Sequence, residues 1–168
     1  MATKAEGYCE ILCKAKYRPE YIAKSIINQT DLTMSKTITD IEGIGPAIQK
    51  KLAKANVRSV GGLLKEGATK KGRKAIAEAS GVDEGKVLDF VNMADLFRVK
   101  GIAGQFAELL KASGVDTIKE LRNRKPENLH AKLLEVNAAK ILTRVVPGLK
   151  QVTNFVDQAK QLEPVVKY

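Results

Sequence analysis

The chain has no tryptophan, one histidine and two cysteines among 168 residues, and aromatic side chains make up only 5% of it. Each shortage excludes something. Cys9 and Cys13 are too few for a disulfide framework or a four-ligand zinc site. Their spacing puts them on one helix face, and with no histidine nearby they read as reduced bystanders rather than metal ligands. His130 follows Pro126 near an expected helix start and reads as structural, which leaves little material for a catalytic triad. So few aromatics argue against a stacking platform for single-stranded nucleic acid. Phe90, Phe97, Phe106 and Phe155 are expected in the core. No apolar run approaches the roughly 18 residues of a membrane span, so no membrane partner is expected. The start, MATKAEGYCEILCKAK, lacks the apolar stretch of an export signal, which makes the cytoplasm the expected location. No carboxylate cluster has metal-binding spacing, and no lysine is marked out as a desolvated nucleophile. The expectation is a non-enzyme with no cofactor and no metal.

What is present is positive charge. Lysine and arginine number 29 against 19 acidic residues, a net charge of +10. Residues 1–33 contribute +1, residues 34–95 contribute +3 and residues 96–168 contribute +6. One run stands out: Lys65, Lys70, Lys71, Arg73 and Lys74, diluted only by Glu66. Arg122, Arg124 and Lys125 make a shorter one. Such runs attract polyanions through counterion release, although a solvated helix face has the same composition. Positive charge at a helix start opposes the helix dipole, which favours a ligand-binding role for the run Lys70, Lys71, Arg73 and Lys74.

The most informative feature is self-similarity. The segment IEGIGPAIQKKLAKANVRSVGGL, from Ile41, aligns without a gap on VKGIAGQFAELLKASGVDTIKEL, which starts 58 residues later at Val99. Gly43 falls on Gly101, Ile44 on Ile102, Leu52 on Leu110, and Ser59 on Thr117. Further along, KVLDFVNMA aligns with QVTNFVDQA at an offset of 65, so Phe90 meets Phe155 and a small insertion lies between. Two homologous units follow, residues 34–95 and 96–168, behind an N-terminal arm of residues 1–33. The arm has helical patterning through Tyr17, Tyr21, Ile22, Ile26 and Ile27. Each unit reads as short helices. Pro46 and Pro126 suit first helical turns, while Ser59, Thr69, Asp83 and Thr117 suit N-caps. Asn56, Gly81, Gly114 and Asn137 suit helix ends. Strand signals are nearly absent, so the expected fold is all-α.

The segment Ile41-Glu-Gly-Ile-Gly-Pro-Ala, followed by Lys50 and Lys51, resembles a helix-hairpin-helix motif. Glycines in such a turn allow positive φ and close approach of another backbone. The helix that follows presents free amides at its positive dipole end, where a phosphate can sit. The resemblance implies sequence-independent binding of double-stranded DNA by backbone contacts. The residues it nominates are Gly43, Ile44, Gly45, Lys50 and Lys51, extended by Lys70, Lys71, Arg73 and Lys74, with Lys100, Gly101 and Ile102 in the second copy. That copy departs from the pattern. Ala103 replaces the second glycine, and Glu108 and Leu109 replace the two lysines, so it is expected to be the weaker phosphate site.

From roughly Met34 to Tyr168 the chain also resembles an uncharacterised bacterial family of tandem helix-hairpin-helix-like repeats, a domain of unknown function. Met34-Ser-Lys-Thr reads as a natural start, so residues 1–33 read as an added arm, a tag or the result of a misassigned start. The resemblance implies a fold and is nearly silent on activity. Two partners fit it: duplex DNA, or another protein held on a scaffold of degenerate repeats.

Overall fold

In the computed structural model, which describes residues 36–168, the fold is all-α. The expected N-terminal arm, with Cys9 and Cys13, lies outside the described residues. A 3-10 turn, Ile38–Asp40, is followed by α1 (Pro46–Lys54), α2 (Val60–Gly67), α3 (Lys70–Ser80) and α4 (Glu84–Leu96). Then come α5 (Gly104–Ala112), α6 (Ile118–Leu121), α7 (Pro126–Lys140) and α8 (Leu149–Gln161). Extended backbone pairs at one isolated antiparallel bridge among these residues, Thr37 with Ser59.

The helix boundaries follow local chemistry. Ser59 caps α2 by accepting from the Gly62 amide at 3.1 Å, and Thr69 caps α3 by accepting from Gly72 at 3.1 Å. Asp83 accepts from Lys86 at 3.2 Å to start α4, and Thr117 from Glu120 at 3.3 Å to start α6. Each cap satisfies an amide that the first turn leaves without a partner. Beyond the helix ends, Asn56, Gly81 and Gly114 adopt the left-handed conformation, with φ of 61°, 67° and 79°. Asn137 does not end α7. The helix continues to Lys140, and Ile141 takes the left-handed position instead.

Part of the packing of one half recurs in the other, although α2 packs on α3 without an equivalent α6–α7 pairing. α1 rests on α3, and α2 on α4; α5 rests on α7, and α6 on α8. The aligned glycines also share their seats. Gly43 has φ 86°, and a Cβ there would stand 3.5 Å from the Phe90 ring; Gly101 has φ 94°, and its Cβ would stand 3.0 Å from the Phe155 ring. Phe90 and Phe155 themselves align, so each hairpin is fastened to the last helix of its own half.

The halves share one core. Buried apolar residues from Ile38 to Val166 form a continuous cluster. All eight residues from Phe90 to Phe97 are buried, because α2 and α3 cover α4 on one side and α5 meets it on another. The expected boundary at residue 95 therefore falls inside the core. Asp95 lies there, 1% exposed, with Oδ1 accepting from Arg98 Nη1 at 2.9 Å and Oδ2 accepting from the Ile118 amide at 3.3 Å. Arg98 also donates to the Glu163 carbonyl at 2.9 Å, so one buried ion pair ties α4 to the start of α6 and to the C-terminal tail. Burial raises the Asp95 carboxyl above its ordinary range, and Arg98 opposes that rise.

The tail runs back to the first half. The Lys167 amide donates to the Ala68 carbonyl at 2.8 Å, and the Tyr168 hydroxyl lies 3.2 Å from Asn92 Oδ1. Within the tail, Leu162 and Val166 are buried.

Candidate nucleic-acid interface

The first hairpin is residues 41–45. The Ile44 amide donates to the Ile41 carbonyl at 3.1 Å, and the Ile44 side chain is buried. Gly43 and Gly45 remain exposed. Gly43 needs its glycine, since φ 86° costs an L-residue. Gly45 does not: its backbone is extended, with φ −80° and ψ 177°. Ala103 stands at the equivalent place with φ −122° and ψ 177°. The glycine-to-alanine change in the second copy therefore leaves the turn's backbone intact.

No side chain caps α1 or α5, the helices that follow the two hairpins, as none caps α7 or α8, and Pro46 at the start of α1 has no amide hydrogen. The other first-turn amides of α1 and α5 are left for solvent or an anion. Lys50 and Lys51 are exposed on α1, and Lys100 is exposed just before Gly101. Ile102 is buried like Ile44. The second hairpin is braced differently. Gln158 reaches from α8, accepting from the Lys100 amide at 2.9 Å and donating to the Lys100 carbonyl at 3.3 Å. Met93 occupies the aligned position in α4, so the first hairpin has no such brace. Sequence alignment places the hairpins 58 residues apart, yet they are neighbours in space. A Cβ on Gly104 would stand 3.0 Å from the Asp40 carbonyl oxygen, at the foot of the first hairpin.

The basic run near α3 divides. Lys70, Lys71 and Lys74 are exposed, as a surface cation must be. Arg73 is not a surface cation: it is 3% exposed. Its guanidinium donates to the carbonyls of Gly67 at 3.1 Å, Ala68 at 3.3 Å and Lys167 at 3.0 Å. These are carbonyls at the negative end of α2 and in the C-terminal tail, which stabilise a buried cation without a carboxylate. The sequence run could not reveal this, because one partner lies 94 residues away.

α3 packs on α1. The groove beside α3 is lined by Ala55, Asn56, Glu66, Gly72, Ala75, Ile76 and Ala79. It lies at the C-terminal end of α1, a helix-length of roughly 13 Å from Gly45. Two exposed acids, Asp40 and Glu42, stand closer to the hairpins and oppose an anion there. Among the described residues, no group of three or more His, Cys, Asp or Glu is placed to hold a metal ion. Among the described residues, no helix is long and apolar enough to cross a membrane.

No curated protein and no solved structure matches the chain. Residues 42–162 match a family model described as Domain of unknown function (DUF4332), a span that takes in both hairpins and α1 to α8, and the chain belongs to that family.

Proposed function

We propose that this DUF4332 protein is a non-enzymatic module that holds the backbone of double-stranded DNA without reading its sequence, through two helix-hairpin-helix-like units. The observation that carries this reading is the pair of uncapped hairpins set side by side. The first supplies α1 amides with Lys50 and Lys51, and the second supplies α5 amides with Lys100. Two adjacent anion seats suit phosphates on the two strands flanking a minor groove. The nests bind phosphate by geometry and dipole, and the lysines add charge that salt screens. Lys70, Lys71 and Lys74, exposed on α3, lengthen the footprint, while Arg73 serves the fold.

Fluorescence anisotropy of a labelled random-sequence duplex tests the reading. K50E/K51E is expected to weaken binding at low salt at least about tenfold, with an unchanged melting temperature. Undiminished binding by that variant rejects the first hairpin as the site. Absence of duplex binding by the wild type at low salt rejects the function.

A further inference from the structure

The extra length of the second half falls between the start of α7 and the start of α8. Where α3 and α4 are joined by residues 81–83, α7 and α8 are joined by residues 141–148. This longer connection is tightly built. Asn137 Nδ2 donates to the Thr143 carbonyl at 3.0 Å, and the Thr143 amide donates to Asn137 Oδ1 at 2.9 Å. Thr143 Oγ1 then bonds the Val145 carbonyl at 2.8 Å and accepts from the Val145 amide at 3.2 Å. Thr143 and Pro147 are buried and Leu142 and Val146 pack on the core, while Ile141, Val145 and Leu149 are exposed at 81%, 72% and 43%.

Ile141 is the telling residue. Its φ of 51° is left-handed, a conformation that a β-branched side chain adopts only at a cost. Glycine or asparagine would fill the position with less strain, and an isoleucine this exposed contributes little to the core. A strained and exposed aliphatic residue, locked by side-chain clamps, points to a binding role. Around it, Lys140, Arg144 and Lys150 are exposed, and the stretch from 140 to 150 holds no acidic residue. Beside it, Gly148, Lys150, Gln151, Thr153, Asn154 and Asp157 line an open groove along the first turns of α8. The amides of Gln151 and Asn154 can bond an extended backbone there, which a lipid surface would leave unused.

We propose that the α7–α8 connection and the adjoining groove are a docking site for an extended peptide segment of a partner protein. Aliphatic side chains of that segment pack on Ile141, Val145 and Leu149, and flanking aspartates or glutamates meet Lys140, Arg144 and Lys150. The groove adjoins the second hairpin, since Gln151 Nε2 would stand 4.0 Å from a Cβ on Gly101, while Ile141 and Val145 belong to the α7–α8 connection. The test pans the full chain against a displayed library of random dodecapeptides, then measures the selected peptides by anisotropy. The expected result is a consensus of aliphatic residues flanked by acids. V145D/L149D should weaken that binding at least about tenfold, and I141N should weaken it without loss of melting temperature. K140E/R144E should remove the preference for acids, and V145D/L149D should leave the salt dependence of duplex binding less changed than K50E/K51E does. No consensus, or a consensus indifferent to these variants, overturns the proposal. So does self-association, or co-sedimentation with phosphatidylserine vesicles, that V145D/L149D abolishes, since either gives the patch another occupant.

Discussion

Gly43 and Gly101 show how much one residue carries. Each holds a left-handed turn and meets a phenylalanine ring from the last helix of its half. Replacing either by alanine costs about 1–2 kcal/mol from backbone strain alone. G101A is expected to cost more than G43A, because the Phe155 ring stands 3.0 Å from the new Cβ and the Phe90 ring 3.5 Å. Urea denaturation of the two variants checks the order, and equal or reversed losses would contradict it. Asp95 and Arg98 make a second residue-level case. A carboxyl whose folded pKa is raised stabilises the fold most below its unfolded pKa. That contribution is lost as pH rises through the folded value. R98A removes the cation that holds the carboxyl down, so the pKa should rise further and the buried charge stand unpaired at neutral pH. The variant should lose about 3 kcal/mol there, and the loss should shrink as pH falls into the ordinary carboxylate range. A loss that does not change with pH would show that Arg98 acts only through Glu163 and packing. Arg73, too, is structural. R73A should cost about 2–4 kcal/mol through three lost charge-assisted hydrogen bonds, and R73K should recover only part of it. If R73A instead weakens duplex binding at unchanged stability, its buried role is wrong.

At the scale of elements, what was legible in the sequence is what is decided within a few residues. Ser59, Thr69, Asp83 and Thr117 cap the helices expected of them, since a cap and its target amide lie three residues apart. Asn56 and Gly114 end α1 and α5 for equally local reasons. Asn137 was misleading because its amide is spent on Thr143, beyond the helix it was expected to stop. The aligned hairpins were legible as a repeat, but their adjacency was not: it depends on α5 packing against α4 and on Gly104 reaching Asp40. Gln158 was also illegible as a brace, since the alignment pairs it with a methionine. The hairpin element carries a prediction of its own. If phosphate sits by Gly43, the neighbouring Glu42 repels it, so E42Q should tighten duplex binding about threefold to tenfold at low salt. An unchanged affinity would place the phosphate elsewhere.

At the scale of the whole molecule, the core is undivided and the surface is partitioned. The C-terminal tail closes on the first half through Ala68, Arg73 and Asn92, so both halves stand or fall together. The charge is less unified. The net charge of +10 is spread over the first hairpin's lysines, the α3 lysines and the α7–α8 connection, and Arg73 and Arg98 spend theirs on the fold. A footprint of a few phosphates should therefore give modest affinity with a salt dependence set by that number. The most direct measurement is duplex affinity against salt concentration, for the wild type and for K50E/K51E. The account predicts a log–log slope of about −3 to −5 for the wild type, reduced by about two in the variant. A wild-type slope near zero, or the same slope for both proteins, would contradict it.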